Sequence, residues 1–168
     1  MPKIIENLEQ RLMEEAKKQI EESGYGAMTI RSVAKGCGVG VGTVYNYFSS
    51  KDELLARHLL EDWNQCVTAI GTVSAYSDGP RPVLQCMYDQ LISFSQRHQN
   101  IFRDEAAAAG FAGSFGRYHS MLRNQLAQPM RKFCTSDFSA AFIAEALLTW
   151  TMAGTPFEDL YGMVEKIF

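Results

Sequence analysis

The stretch from Thr29 to Leu54, TIRSVAKGCGVGVGTVYNYFSSKDEL, constrains the fold of this 168-residue chain more than any other. Ile30, Val33, Ala34 and Cys37 recur at i, i+3, i+4 and i+7, the spacing of one buried helical stripe. Thr29 precedes that stripe, where a hydroxyl can accept from the unpaired N–H groups of a first turn. Gly36, Gly38, Gly40 and Gly42 crowd the turn that follows, and Val44 and Phe48, four apart, can share one core. Ser50-Lys51-Asp52-Glu53 reads as a Ser-x-x-Glu capping box opening a further helix. Two short helices around a tight glycine turn make a helix-turn-helix, whose second helix fits a DNA major groove. The alternating glycines also suggest a nucleotide-binding loop. That loop requires a preceding strand, however, and here the preceding pattern is helical.

Charge is distributed in keeping with this reading. The chain carries a net −3. Between Ala27 and Arg57, Arg31, Lys35, Lys51 and Arg57 face only Asp52 and Glu53, whereas from Glu61 onward 8 basic residues meet 11 acidic ones. The basic surplus thus falls where phosphate contacts would be made, and it is small, which favours modest non-specific affinity and binding as a dimer.

At these residues the chain resembles the TetR family of bacterial transcriptional regulators. The matching pieces are Gly24-Tyr25, Thr29 to Ala34, Gly38-Val39, Gly42-Thr43-Val44-Tyr45, Tyr47-Phe48 and Ser50 to Leu55, in that order. The resemblance covers the first third of the chain. It implies an all-α fold, with a helix-turn-helix DNA-binding domain over residues 1–50. A connecting helix over 51–70 would open a ligand-binding and dimerisation bundle over 51–168. By the same resemblance Thr29, Thr43, Tyr45, Tyr47 and Lys51 position phosphates, while Arg31, Val41, Gly42 and Asn46 lie near base edges. Arg31 has the forked guanidinium that pairs bidentately with guanine, and Val41 offers an apolar contact to a thymine methyl. For Val41, Tyr45 and Tyr47 internal packing is the competing reading. Gly40 and Val41 replace a serine and a lysine common in the family, so the cap weakens and one phosphate ligand is missing. A helical ligand-binding or interaction module with weakened DNA binding is therefore the alternative.

Beyond residue 60 the pattern is helical but less informative. Helices are expected over about 3–22, 51–69, 84–95, 104–109, 115–133 and 136–154, with a last one opened by a Thr155-Pro156-Phe157-Glu158 capping box. A loop is expected over 71–82, and a bend at the glycines of 110–116. Trp63, Met87, Tyr88, Phe94, Phe102, Phe111, Phe115, Tyr118, Met121 and Trp150 are large, soft side chains that suit an apolar or flat aromatic effector. Each serves a helical core equally well. Glu145 is the sole charge between Phe138 and Phe157; it meets a cationic ligand, an arginine such as Arg123 or Arg131, or water. Phe138, Phe142, Ala146 and Trp150 form a face suited to the homodimer that the resemblance implies, and a two-fold dimer requires a palindromic operator.

No catalytic or metal motif appears: His58, His98 and His119 are far apart, and no G-x-S-x-G or H-E-x-x-H spacing occurs. Neither an enzyme nor a resident cofactor is expected. The four cysteines lack a C-x-x-C pair and read as reduced thiols. With no signal-peptide core after Met1, and with Thr149, Thr151, Gly154 and Pro156 interrupting the most apolar run, a cytoplasmic protein is expected.

Overall fold

The computed structural model of the protein describes residues 7–111 and 115–168, the side chains of 111 and 115 excepted. Among these residues the chain forms ten α-helices and no strand. In order they are α1 (Leu8–Ser23), α2 (Ile30–Cys37), α3 (Val41–Tyr45), α4 (Lys51–Tyr76), α5 (Pro80–Arg97), α6 (Gln99–Phe102), α7 (Glu105–Phe111), α8 (Phe115–Met130), α9 (Asp137–Met152) and α10 (Phe157–Val164). Packing groups residues 7–61 and 98–111 into one compact unit, and residues 62–97 and 115–168 into another. A single cut after residue 50 does not anticipate that 98–111 joins the N-terminal helices.

In the first unit α1 buries Leu8, Leu12, Met13, Ala16 and Ile20 on its inner face. Gly24, at φ 82, then ends the helix with its N–H on the Ile20 carbonyl. Residues 3–6 of the expected first helix lie outside the described residues. Ile30, Val33, Ala34 and Cys37 of α2 pack with Val44 and Phe48 into the same core, which also takes in Leu54 and Leu55 of α4 and Ile101 of α6.

The second unit centres on Trp63, Ile70, Leu84, Met87, Leu126, Met130, Ile143, Leu147 and Leu160. Helix α4 runs to Tyr76, past the expected end near 69, so the loop shrinks to the residues between Tyr76 and Pro80. The extension through Gly71 is held from a distance. Ser74 is buried, and the Lys132 ammonium donates to the Ser74 and Ser77 carbonyls, satisfying the helix end. Pro80 and Pro82 sit in the first turn of α5, where proline costs no helical hydrogen bond. Pro129 falls in the last turn of α8 and ends it at Met130, three residues before the expected limit. Ser136 caps α9 by accepting from the Ser139 N–H at 3.0 Å. The second capping box does not form: α10 begins at Phe157 without a side-chain cap, because Glu158 turns to the Arg81 guanidinium instead. The bend expected around Gly113 lies outside the described residues. None of the described helices is long and apolar enough to cross a membrane.

Candidate nucleic-acid interface

Local hydrogen bonds fix the geometry of the α2–α3 pair. Thr29, in extended conformation, accepts from the Ser32 N–H at 3.0 Å, and the Ser32 hydroxyl accepts in return from the Thr29 N–H. Two N–H groups at the start of α2 are thereby satisfied reciprocally. Ser32 also reaches the Gln19 side chain of α1. At the other end Gly38, at φ 70, closes α2 with its N–H on the Ala34 and Lys35 carbonyls, a left-handed turn that costs glycine least. Gly40 then enters α3 in extended conformation with no side-chain cap. Gly36 admits close approach of α1: a Cβ there would overlap the Glu15 carboxylate. Burial of Val44 and Phe48 turns the rest of this segment outward, leaving Tyr45 54% and Tyr47 40% exposed. The competing core reading of the two tyrosines therefore loses to exposure. Val41 does both, packing partly against the core while lining the surface.

That surface carries an open cleft of about 720 Å³ lined by Thr29, Ile30, Arg31, Val41, Tyr45, Ser49, Ser50 and Lys51. Five of the nine residues that the sequence assigns to DNA contact meet here. Gly42, Asn46 and Tyr47 are exposed close by along the chain, and Thr43 is half-buried. Ser49 and Ser50 are additions. Their signal was the capping box, but the box is shifted by one residue. Ser50 accepts from the Glu53 N–H at 3.1 Å, whereas the Glu53 carboxylate accepts from the Ser49 N–H and hydroxyl. The hydrogen bonds from Ser49 hold the Glu53 carboxyl below its ordinary range, and the nearby Arg57 adds to the effect. Arg57 itself pairs with Glu9 at 2.8 Å and Glu53 at 3.6 Å. Arg31 and Lys35 are exposed and pair with no carboxylate among the described residues.

Lys51, which lines the cleft, also makes contacts within its own chain. Its ammonium donates to the carbonyls of Tyr25 (3.2 Å) and Met28 (3.5 Å) and lies 4.1 Å from the centre of the Tyr25 ring. The half-buried ammonium is thus engaged by groups of the α1–α2 loop.

Of the residues considered for an effector pocket, Trp63, Met87, Tyr88 and Phe94 belong to or pack on the core of the second unit. Trp63 and Met87 are buried in the core of the second unit, with the Trp63 indole N–H on Gln125 at 2.7 Å and its ring edge-on to Phe94. Tyr88 donates to the Thr155 carbonyl at 3.0 Å. Tyr118 and Met121 are half-buried on α8, Trp150 is exposed on α9, and Phe102 belongs to the first unit. The side chains of Phe111 and Phe115 lie outside the described residues. Glu145 pairs within its own chain, with His119 at 2.9 Å, Arg123 at 3.7 Å and the Thr149 hydroxyl at 3.2 Å. Partial burial disfavours its ionised form, but these partners outweigh that and hold its carboxyl below the ordinary range. Arg131 pairs instead with Asp137.

A capped α2, a left-handed glycine turn and a short α3 with an exposed polar and aromatic face define a helix-turn-helix domain of the DNA-binding type. Residues 12–57 match the family of bacterial regulatory proteins described as the tetR family. An HTH-type transcriptional regulator of Staphylococcus aureus is 30% identical over 90 residues, 54% of this chain and 48% of that protein. HbdR, an HTH-type transcriptional regulator of an Aromatoleum species, is 31% identical over 67 residues, 38% of this chain and 29% of that protein. The chain spans about half the length, or less, of the curated relatives it matches. The fold is similar to that of a transcriptional regulator from Rhodococcus, with a TM-score of 0.62 at 20% identity over 95% of each chain. It is also similar to FadR of Thermus thermophilus, a TetR-family repressor in complex with lauroyl-CoA. There the TM-score is 0.64 at 17% identity, over 94% of this chain and 91% of that one.

Proposed function

We propose that the protein is a transcriptional regulator that binds DNA through the α2–α3 face as a homodimer on a palindromic operator. The observation that carries this reading is the cleft in which Thr29, Arg31, Val41 and Tyr45 converge beside the exposed end of α3. Thr29, Thr43, Tyr45 and Tyr47 are the hydrogen-bonding groups for phosphates; Arg31, Val41, Gly42 and Asn46 face base edges. Homodimerisation is supported by α9, whose outward face exposes Phe138, Phe142, Trp150 and Met152. An apolar face of that kind on a helix already buried on its other side calls for a second copy to cover it.

A repressor released by a small apolar or aromatic molecule is the regulatory mode we infer for it. FadR of Thermus thermophilus was solved with lauroyl-CoA and RolR with resorcinol, which supports an effector of this class here. Helix α4 would carry the signal, since its residues to Glu61 belong to one unit and those from Asp62 to the other.

Selection of bound duplexes from a random pool at two salt concentrations tests the reading. A palindromic consensus whose binding weakens steeply with salt is the expected result. Recovery of no sequence at either concentration, with or without an apolar or aromatic additive, would return the chain to a helical ligand-binding or interaction module.

A further inference from the structure

We propose that Lys51 acts on DNA binding from inside the protein, as a positioning residue that clamps the α1–α2 loop to the first turn of α4. It does not neutralise a phosphate. A cation in the first turn of a helix sits at the positive end of the macrodipole, an unfavourable place unless other groups stabilise it. Here the stabilising groups are two carbonyls, of Tyr25 and Met28, and the face of the Tyr25 ring. Asp52, the next residue of α4, accepts from the Tyr25 hydroxyl. One loop side chain, itself buried, is therefore gripped twice by consecutive residues of α4, at its ring and at its phenol. The grip ends at Met28, immediately before Thr29, the residue that caps α2 and lines the cleft. Through that adjacency the clamp sets where α2 begins and how Arg31 is presented. With two of its three N–H donors on carbonyls and its cationic face against a ring, the ammonium lacks the free, hydrated geometry of a surface phosphate ligand.

The inference rests on the proposed DNA-binding function, and its test separates the two. Lys51→Met, which keeps the aliphatic stem, and Lys51→Arg, which keeps the charge, are compared with the unmodified chain. Binding to a mixed-sequence duplex is measured across a salt series, and backbone amide exchange of the DNA-free proteins is followed over residues 24–37. The clamp predicts that Lys51→Met weakens binding about tenfold while the slope of log K against log salt stays unchanged. It also predicts faster exchange over 24–37 without DNA. Lys51→Arg should lose affinity as well, because a planar guanidinium does not fit between the two carbonyls and the ring.

A phosphate contact would instead lower the slope by about 0.9 per protomer and tolerate arginine. That result overturns the proposal, as does unchanged affinity in Lys51→Met, which would leave the lysine with a purely stabilising role. If Lys51→Met fails to fold, wild-type affinity in Lys51→Arg overturns it alone. If the unmodified chain binds no duplex, the DNA-binding reading has failed, and unchanged amide exchange in either variant then refutes the clamp on its own.

Discussion

Phe138→Ala separates self-association from folding more cleanly than any other change on α9. The side chain is 77% exposed, so little of it is packed within the chain, and its truncation should alter the stability of the isolated protomer by no more than about 0.5 kcal/mol. In a two-fold dimer formed across the outward face of α9, the same surface is withdrawn from water twice, once in each protomer. Full burial of a phenylalanine contributes roughly 1.5–3 kcal/mol. Covering the exposed three-quarters in both copies therefore stabilises the dimer by about 3 kcal/mol, on the order of a hundredfold in the dissociation constant. Sedimentation equilibrium over a concentration series reads that shift, and thermal unfolding at concentrations where both proteins are monomeric checks the protomer. An unchanged dissociation constant would show that the face is not the self-association surface. A large loss of protomer stability would show that the side chain does more within the chain than its exposure allows.

Three further outcomes follow from the structure. Gly38→Ala places a Cβ on a residue at φ 70 and should destabilise the protein by about 1–2 kcal/mol in denaturant unfolding, through backbone strain alone; an unchanged midpoint would mean the turn can re-form in another conformation. Arg31→Ala should weaken binding to a selected operator and relax base preference at one position in each half-site, by about 1–3 kcal/mol of discrimination. A repeat selection that returns the same consensus would remove Arg31 from the base edges. Glu145 has a carboxyl held below its ordinary range in the folded chain. Its contribution is thus present above the unfolded carboxylate pKa and fades as pH falls through the lower folded value. Glu145→Gln should lower stability most at neutral pH, where that contribution is fully present, and least in acid, where it has already faded, so that the acid limb of a stability-versus-pH curve flattens; an identical acid limb would show that His119, Arg123 and Thr149 do not favour the ionised form.

What the sequence made legible in the DNA-binding segment was local. The stripe of Ile30, Val33, Ala34 and Cys37 and the cap at Thr29 depend on neighbours within one or two turns, and all are buried or bonded as their spacing implies. What it hid was set by distant partners. Nothing near Lys51 in sequence points to carbonyls 26 and 23 residues upstream, and a lysine at the start of a helix reads naturally as a surface cation. The length of α4 escapes the sequence for the same reason: Gly71 and the following serine-rich run weaken the helix locally, while Lys132 supports its end from far along the chain. Glu158 follows the capping-box pattern but lies beside Arg81, and a charged hydrogen bond prevails over a cap. The large side chains of the second unit are ambiguous in principle, since an aromatic at helical spacing fills a core or lines a pocket with the same periodicity. Only burial separates Trp63 and Met87 from Trp150.

Helix α9 brings these arguments together. Its sequence holds one charge among many apolar residues between Phe138 and Met152, a composition that marks a helix covered on more than one side without saying by what. One face, formed by Ala140, Ile143, Ala144, Leu147 and Thr151, is buried within the chain. Phe138, Phe142 and Met152 look the opposite way, and Glu145 and Thr149 lie among them at helical spacing. A lone carboxylate on an apolar contact surface would ordinarily oppose association, because covering it without partners strands a charge. Here the partners are already in place on the same protomer: His119 and Arg123 from α8, and the Thr149 hydroxyl one turn along. The carboxylate can thus be covered without a new counter-charge from the second copy. The residue that looks like a cross-interface or ligand-binding group in the sequence is better understood as one that its own chain has made compatible with an apolar interface.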